Sequence, residues 1–349
     1  MSRYRIFRER FQLPPCFCIG PRSFQADRAV PATDTIILPS REFPEYERLF
    51  YVSEGITHSE LLGHKSKLVT SILTRGEETI EDRTALDFRF HTPQNFAHFL
   101  GTHIPLLVAV AQQLDIGIQE IKVILPAEVP EYINGLAECF GLDVLQTDRP
   151  VEGRIVTFTS PHKSEFRHLR RELVAQAGLP DVAAQYAATS NSTFGGKYFV
   201  ARRGTRALEN NDEVTAHLAA HGYETVYLEE LPLPDQFKLM QSATSVIAIH
   251  GAGLASLFYA KTPGHLQEII ELQPVGLAST IFREMAQALG VYYITVRGRL
   301  KPAYIPGIYK TTGSFMAFQN DTFSLDLDAL DQALAFAKYR INVPPGLPI

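Results

Sequence analysis

From about Ile104 onward the chain alternates stretches of helical apolar spacing with short apolar runs, and few folds are open to a chain so patterned. Ile104-Pro-Leu-Leu-Val-Ala-Val-Ala-Gln-Gln-Leu114 reads as a buried helix, and Ile121-Lys-Val-Ile-Leu125 as a strand stopped by Pro126. A helix over 131–140 closes at Gly141, strands follow near 143–145 and 155–158, and a helix over 163–177 closes at Gly178. A second series then runs strand 197–201, helix 212–220, strand 225–228, helix 234–242, strand 245–249, strand 266–272, helix 279–289 and strand 291–296. Such alternation builds parallel sheets with helices on both faces. The expected class is α/β, with two Rossmann-like domains facing a cleft.

The stretch 181–196 is short of large apolar residues and ends in Gly195-Gly196, so it is the expected linker. That assigns 1–180 to a first domain and 197–324 to a second, with a helix in 325–349 packing back across both. The first ninety residues, mixed in Pro, Thr and aromatics, fit short strands and loops. With 349 residues and 45% hydrophobic composition, there is enough apolar surface for two cores. A net charge of -5, its 33 basic and 38 acidic residues interspersed, gives no reason to expect a nucleic-acid partner.

Cys16, Cys18 and Cys139 are too few for a disulfide framework and complete no zinc site, so they read as reduced thiols. The start of the chain, Met1-Ser-Arg-Tyr-Arg-Ile-Phe-Arg-Glu-Arg10, is charged throughout and lacks the apolar core of a signal peptide. No run approaches the roughly 18 apolar residues that span a bilayer. The expected compartment is the cytoplasm, with membrane contact at most peripheral.

The chemistry gathers at strand ends. Ser245-Val-Ile-Ala-Ile249 runs into His250-Gly251-Ala252-Gly253 ahead of a helix expected from Leu254. Such a turn exposes backbone N–H groups to a phosphate, although a tight turn alone would also require the glycines. Glu271 ends the next apolar run, where a carboxylate can accept the hydroxyls of a ribose. Gly251-Ala-Gly253-Leu-Ala-Ser256 lacks only the last glycine of a dinucleotide fingerprint, so an NAD(P)-dependent dehydrogenase is a competing reading. Against it, the fingerprint normally follows the first strand of its domain, and here it follows the third. Arg202, Arg203 and Arg206 follow the strand ending at Ala201, and guanidinium forks suit a diphosphate.

The order of these blocks resembles the family-61 glycosyltransferases. The resemblance rests on Tyr198-Phe-Val-Ala-Arg-Arg-Gly-Thr-Arg-Ala-Leu-Glu-Asn-Asn-Asp-Glu213, Gly222-Tyr-Glu-Thr-Val-Tyr-Leu228, Gln236, Ala243, His250-Gly-Ala-Gly-Leu254 and Glu271-Leu-Gln-Pro274. Upstream, Asn95-Phe-Ala-His98-Phe-Leu and Ile104-Pro-Leu-Leu are similar to the family's Asn-Tyr-Tyr-His-Trp block and the Leu-Pro after it. The resemblance implies a GT-B fold, inverting transfer from a nucleotide sugar to a glycan or other hydroxyl acceptor, and neither cofactor nor obligatory metal. Members include plant xylan xylosyl- and arabinosyltransferases, the EGF-domain O-GlcNAc transferase and bacterial proteins linked to capsular polysaccharide. The last group best suits this chain.

By the same resemblance, Arg202, Arg206, Asn210, Glu213, His250, Gly251, Ala252, Gly253 and Glu271 are expected to bind the donor. Asn95, Thr102 and His103 fall on the acceptor side. Family members commonly carry an aspartate where this chain has Thr102, and threonine cannot serve as a general base. His98 becomes the expected base, since residues 98 and 102 share a helix face while 103 lies further round. Loss of the acid also keeps open a nucleotide-binding protein without catalysis. His162, His168, His217, His221 and His265 are taken as dispersed, without ligand spacing, and Asp326-Leu-Asp328 as a helix start and not a metal motif.

Overall fold

The structure, a computed structural model, describes residues 1–21, 33–57, 78–89, 92–158, 170–262, 264–274, 277, 279–299 and 318–342. The chain forms two compact units. Met1–Phe11, Pro44–Ser190 and Ala255–Lys261 make the first, and Gln12–Phe43, Asn191–Leu254 and Thr262–Ile349 the second. In chain order the strands are β1 Ser2–Arg8, β2 Phe11–Leu13, β3 Cys16–Pro21, β4 Thr33–Leu38, β5 Arg41–Phe43, β6 Tyr46–Thr57, β7 Glu78–Asp87 and β8 Ile121–Leu125. They continue with β9 Asp143–Gln146, β10 Val151–Phe158, β11 Gly196–Val200, β12 Tyr223–Val226, β13 Ala243–Ile249, β14 Glu268–Gln273 and β15 Tyr292–Arg297. Both units are mixed α/β, with parallel strand pairs in the six-stranded and the seven-stranded sheet.

In the first unit a six-stranded sheet is ordered β1-β6-β10-β7-β8-β9. Strands β10, β7, β8 and β9 run parallel, while β6 is antiparallel to β1 and β10. The helix Ile104–Leu114 is apolar around its circumference and is buried from Ile104 through Ala111, as a helix without a polar face must be. The second helix, Glu131–Cys139, buries Ile133, Leu136, Ala137 and Cys139, and Gly141 closes it at φ +61°. The small-residue stretch after Gly178 holds a further helix, Leu179–Ala187, because alanine is a strong helix former; the expected open connection is helical at its start. Arg89 is the polar centre of this unit. Its side chain is fully buried, pairs in fork geometry with Asp87 (Nε to Oδ1 3.0 Å, Nη2 to Oδ2 2.8 Å), and donates to the carbonyls of Thr147, Arg149 and Thr57.

In the second unit a seven-stranded sheet is ordered β12-β11-β13-β14-β15-β3-β4, parallel except for β4. Every residue of β14 is buried, as is expected of a central parallel strand covered on both faces. Strands β3 and β4 come from residues 12–43, a stretch whose sequence pattern gave no partner. The helix Leu327–Tyr339 starts at Asp326, whose carboxylate accepts from the N–H of Asp328, bearing out the expected helix start. Its face of Ala329, Leu330, Ala333 and Ala337 lies in the second unit's core with Phe17, Ile19, Ile294 and Val296. Among the described residues no helix is long and apolar enough to cross a membrane.

Candidate functional site

Taken from β11, the second sheet has the order 2-1-3-4-5, the doubly wound arrangement in which the chain reverses direction between its first and third strands. Ligands of open α/β sheets bind at the carboxyl ends of those two strands, where the connections diverge and leave a crevice. Here the strands are β11 and β13. The first is followed by Arg202 and Arg206, the second by His250-Gly251-Ala252-Gly253.

Both arginines reach the same carbonyl: Nη1 of Arg202 lies 3.3 Å and Nη1 of Arg206 3.5 Å from the oxygen of His250. Arg202 also donates to Thr205 Oγ1 at 3.0 Å, and its Nε is buried without a hydrogen-bond partner among the described residues. Arg206 donates from Nε to the carbonyl of Gln319 and from Nη2 to Asn320 Oδ1. Its backbone lies at φ +63°, a conformation that costs a non-glycine residue about 1–3 kcal/mol and is held here by its N–H bond to the Asn320 carbonyl. Burial pulls both guanidinium pKa values below their ordinary value, and the neighbouring Arg202 lowers that of Arg206 further. Neither forms an ion pair with a carboxylate among the described residues. Two partly buried positive charges so close together favour an anion.

Arg203 behaves differently. It is exposed, paired with Glu230 and laid over the ring of Tyr227 at 3.8 Å, so the three arginines of one loop divide into two that converge on the turn and one on the surface. The glycines of the turn answer to protein neighbours. A Cβ on Gly251 would stand 2.6 Å from Arg202 Nη1, and one on Gly253 would stand 2.5 Å from Leu228 Cδ1. Gly251 thus lets the guanidinium lie against the turn. The helix expected from Leu254 is a 3-10 helix, Ala252–Tyr259.

Strand register explains the next contact. Ala248 pairs with Glu271 and Glu271 with Thr295, so His250, Glu271 and Tyr293 lie on one diagonal across β13, β14 and β15. His250 donates from Nδ1 to Glu271 Oε1, and the Tyr293 hydroxyl donates to Oε2. Glu271 is wholly buried and Tyr293 nearly so. Burial, and then the Glu271 charge, push the Tyr293 hydroxyl pKa well above the ordinary tyrosine value, so it remains a donor. With both oxygens engaged inside the unit, Glu271 has the geometry of a residue that orients His250. The ribose contact expected of it, and the acidic partner a dinucleotide site would need, do not fit that burial. Phe282 meets the His250 ring edge-on at 5.1 Å, and the His250 side chain keeps 11% exposure.

Asn210 and Glu213 have local work. The Asn210 amide donates to the Leu325 carbonyl at 3.0 Å and accepts from the Leu325 N–H at 3.0 Å, and it also donates to Glu213 Oε2. This pair holds the strand-like segment ahead of the C-terminal helix, and neither residue reaches the turn through a described bond. Sequence reasoning missed Tyr293, Thr205, Gln319 and Asn320. Strand register brings Tyr293 to the site and the return of the chain at 319–320 brings Gln319 and Asn320, whereas Thr205 stands in the arginine loop itself.

The residues expected on the acceptor side surround a helix start in the first unit. Asn95 caps it, its Oδ1 accepting from the N–H groups of Ala97 at 2.9 Å and His98 at 3.2 Å. The turn Phe99–His103 is a π turn, with the Ile104 N–H bonded to the Phe99 carbonyl. Pro105 has no N–H for the Gly101 carbonyl and its ring would crowd that oxygen, so a wider turn accommodates it. Thr102 and His103 are both buried, and the His103 ring lies 4.7 Å from that of Phe88. His98 is half-buried, and its Nδ1 is hydrogen-bonded to Thr92 Oγ1 at 2.6 Å. His162 and His168 lie outside the described residues.

No curated protein matches the chain. The family model described as Glycosyltransferase 61 matches residues 96–266, a stretch that takes in His98, the arginine pair and the His250 turn. Residues 96–266 are a glycosyltransferase 61 domain, and through it the chain belongs to the family-61 glycosyltransferases.

Proposed function

We propose that the protein transfers a sugar, with inversion, from a nucleotide-sugar donor to a hydroxyl of a glycan or similar acceptor, in polysaccharide biosynthesis, on a GT-B framework. The single observation that carries the donor half is the convergence of Arg202 and Arg206, unpaired with any described carboxylate, on the His250 turn at the sheet's switch point.

The reaction follows from what such groups can do. The acceptor oxygen attacks the anomeric carbon as the bond from that carbon to the diphosphate oxygen breaks. Negative charge grows on the leaving diphosphate, and the two guanidinium groups, already held in place, stabilise it. Glu271 and Tyr293 hold the His250 ring in one orientation beside that charge. His98, its ring fixed through Nδ1 by Thr92, takes the acceptor proton or orients the hydroxyl. The donor belongs with the second unit and the acceptor with the first. No metal enters this scheme.

A panel of UDP, GDP, CMP and NAD in thermal unfolding tests the donor half, since a ligand that binds only the folded state raises its melting temperature. One nucleoside diphosphate should stabilise the protein and lose that effect in Arg202→Ala. No shift with any nucleotide would overturn the reading. Release of free sugar from the stabilising donor then separates an enzyme from a nucleotide-binding protein, the reading that the loss of an acid at Thr102 favours.

A further inference from the structure

His217 and His221 are four residues apart, at the carboxyl end of the helix Asn211–Ala220 and just beyond it, so both rings project to one side. The i, i+4 spacing is a ligand spacing, although the sequence reading passed it over. Folding adds a third group. Asp331, in the first turns of the helix Leu327–Tyr339, places Oδ1 2.7 Å from His217 Nε2 and 3.9 Å from His221 Nε2, and the ligand atoms all lie within 4.8 Å of one another.

We propose that His217, His221 and Asp331 bind a divalent transition-metal ion of the zinc class, which braces the C-terminal helix to the helix Asn211–Ala220.

Three features support a metal over a plain hydrogen-bonded cluster. First, His221 Nδ1 lies 3.0 Å from the His217 carbonyl, and since a carbonyl only accepts, that nitrogen carries the proton. The Nε2 atom facing Asp331 is then left with its lone pair. Fixing a ligating imidazole by a backbone carbonyl in this way is the usual arrangement around zinc. Second, the separations of 2.7 and 3.9 Å from Asp331 Oδ1 bracket the roughly 3.4 Å that separates ligand atoms in a tetrahedral shell with bonds near 2.1 Å. Small side-chain rotations would equalise them. Third, two imidazoles and one carboxylate match zinc and its neighbours in the first transition row, and are a poor set for calcium or magnesium. The side chains are 20%, 43% and 50% exposed, so an ion can reach them from solvent and complete its shell with water. Val214 and Leu218 of one helix and Ala329, Leu330 and Ala333 of the other already share the second unit's core, so the ion would lock helices that packing has brought together.

The test uses the full chain without an affinity tag, freed of metal with EDTA and titrated calorimetrically with Zn²⁺. Saturable binding of a single ion per chain is expected, with a melting temperature higher in Zn²⁺ than in EDTA. His217→Gln and His221→Gln should each weaken that affinity by at least about tenfold, the least that losing even an outer-shell partner of a bound metal costs. Asp331→Asn changes an exposed group and keeps its size, so it serves should a histidine variant melt early in EDTA. It should remove most of the Zn²⁺-dependent rise while leaving the EDTA melting temperature unchanged. The proposal is overturned if no saturable binding is seen, or if Asp331→Asn and the histidine variants bind Zn²⁺ as the natural sequence does.

Discussion

Arg89 in the first unit and the pair Arg202 and Arg206 in the second are inward-turned arginines with opposite provision. Arg89 meets a bidentate carboxylate and three backbone carbonyls, so its charge is neutralised and its donors are occupied. Arg202 and Arg206 meet one shared carbonyl and neutral oxygens, and no carboxylate forms an ion pair with them among the described residues. The difference separates structure from recognition. A buried guanidinium with its counter-ion is finished by folding, whereas two without one are left with charge to offer the anion proposed for them.

The largest effect should come from Arg89→Ala. It leaves the Asp87 carboxylate, 14% exposed, without its counter-charge, held by the Thr57 hydroxyl and the backbone N–H of residue 89, and should cost about 3–5 kcal/mol in denaturant unfolding. Arg202→Ala and Arg206→Ala should leave unfolding unchanged or slightly stabilised, since each removes an uncompensated charge. Each should instead weaken nucleoside-diphosphate binding by about 1.5–3 kcal/mol, on the order of 10- to 100-fold in calorimetry. Should either destabilise the protein as Arg89→Ala does, the distinction between the two stations collapses.

Smaller is Glu271→Gln, which keeps the shape of the buried diagonal but exchanges a carboxylate for an amide. A fall in kcat/KM of about tenfold, or 1.4 kcal/mol, with nucleotide affinity nearly unchanged, would show that it positions His250 and does not grip the donor. A parallel loss of affinity would return it to the ribose.

The smallest effect is common to both units. Burial raises the thiol pKa of Cys16 in the second unit and of Cys139 in the first from 9.0 to about 12. A thiol that ionises at 9.0 unfolded and only near 12 folded contributes stability that is intact below pH 9 and is lost as pH rises toward 12. Each should therefore cost on the order of 1 kcal/mol by pH 10. Melting temperatures between pH 8 and 10 should fall, and Cys16→Ala should remove part of the slope. In the folded protein at pH 8 both thiols should react slowly with alkylating agents, because burial shields them and keeps them protonated.

Much of this was legible in residues alone. Continuous apolar runs gave the strands from β11 to β15 within a few residues, because a parallel strand buried on both faces needs no polar alternation. The helix Ile104–Leu114 and the closure at Gly141 were readable from composition and a single glycine. What stayed hidden has a shared cause. The place of β3 beside β15, the π turn before Pro105, and the approach of Gln319 and Asn320 to Arg206 all depend on contacts between segments far apart in the chain or on local crowding, which periodicity does not record.

The sequence by itself determined which residue types stand at the strand ends: arginines after β11, a histidine and glycines after β13, a glutamate within β14. Only the tertiary structure decided what each does there. Register turned Glu271 inward to His250 and Tyr293, packing used Gly251 to admit Arg202, and one arginine of three was sent to the surface. Side-chain chemistry is local and can be read along a chain, but burial and counter-charge are properties of neighbours that only folding supplies.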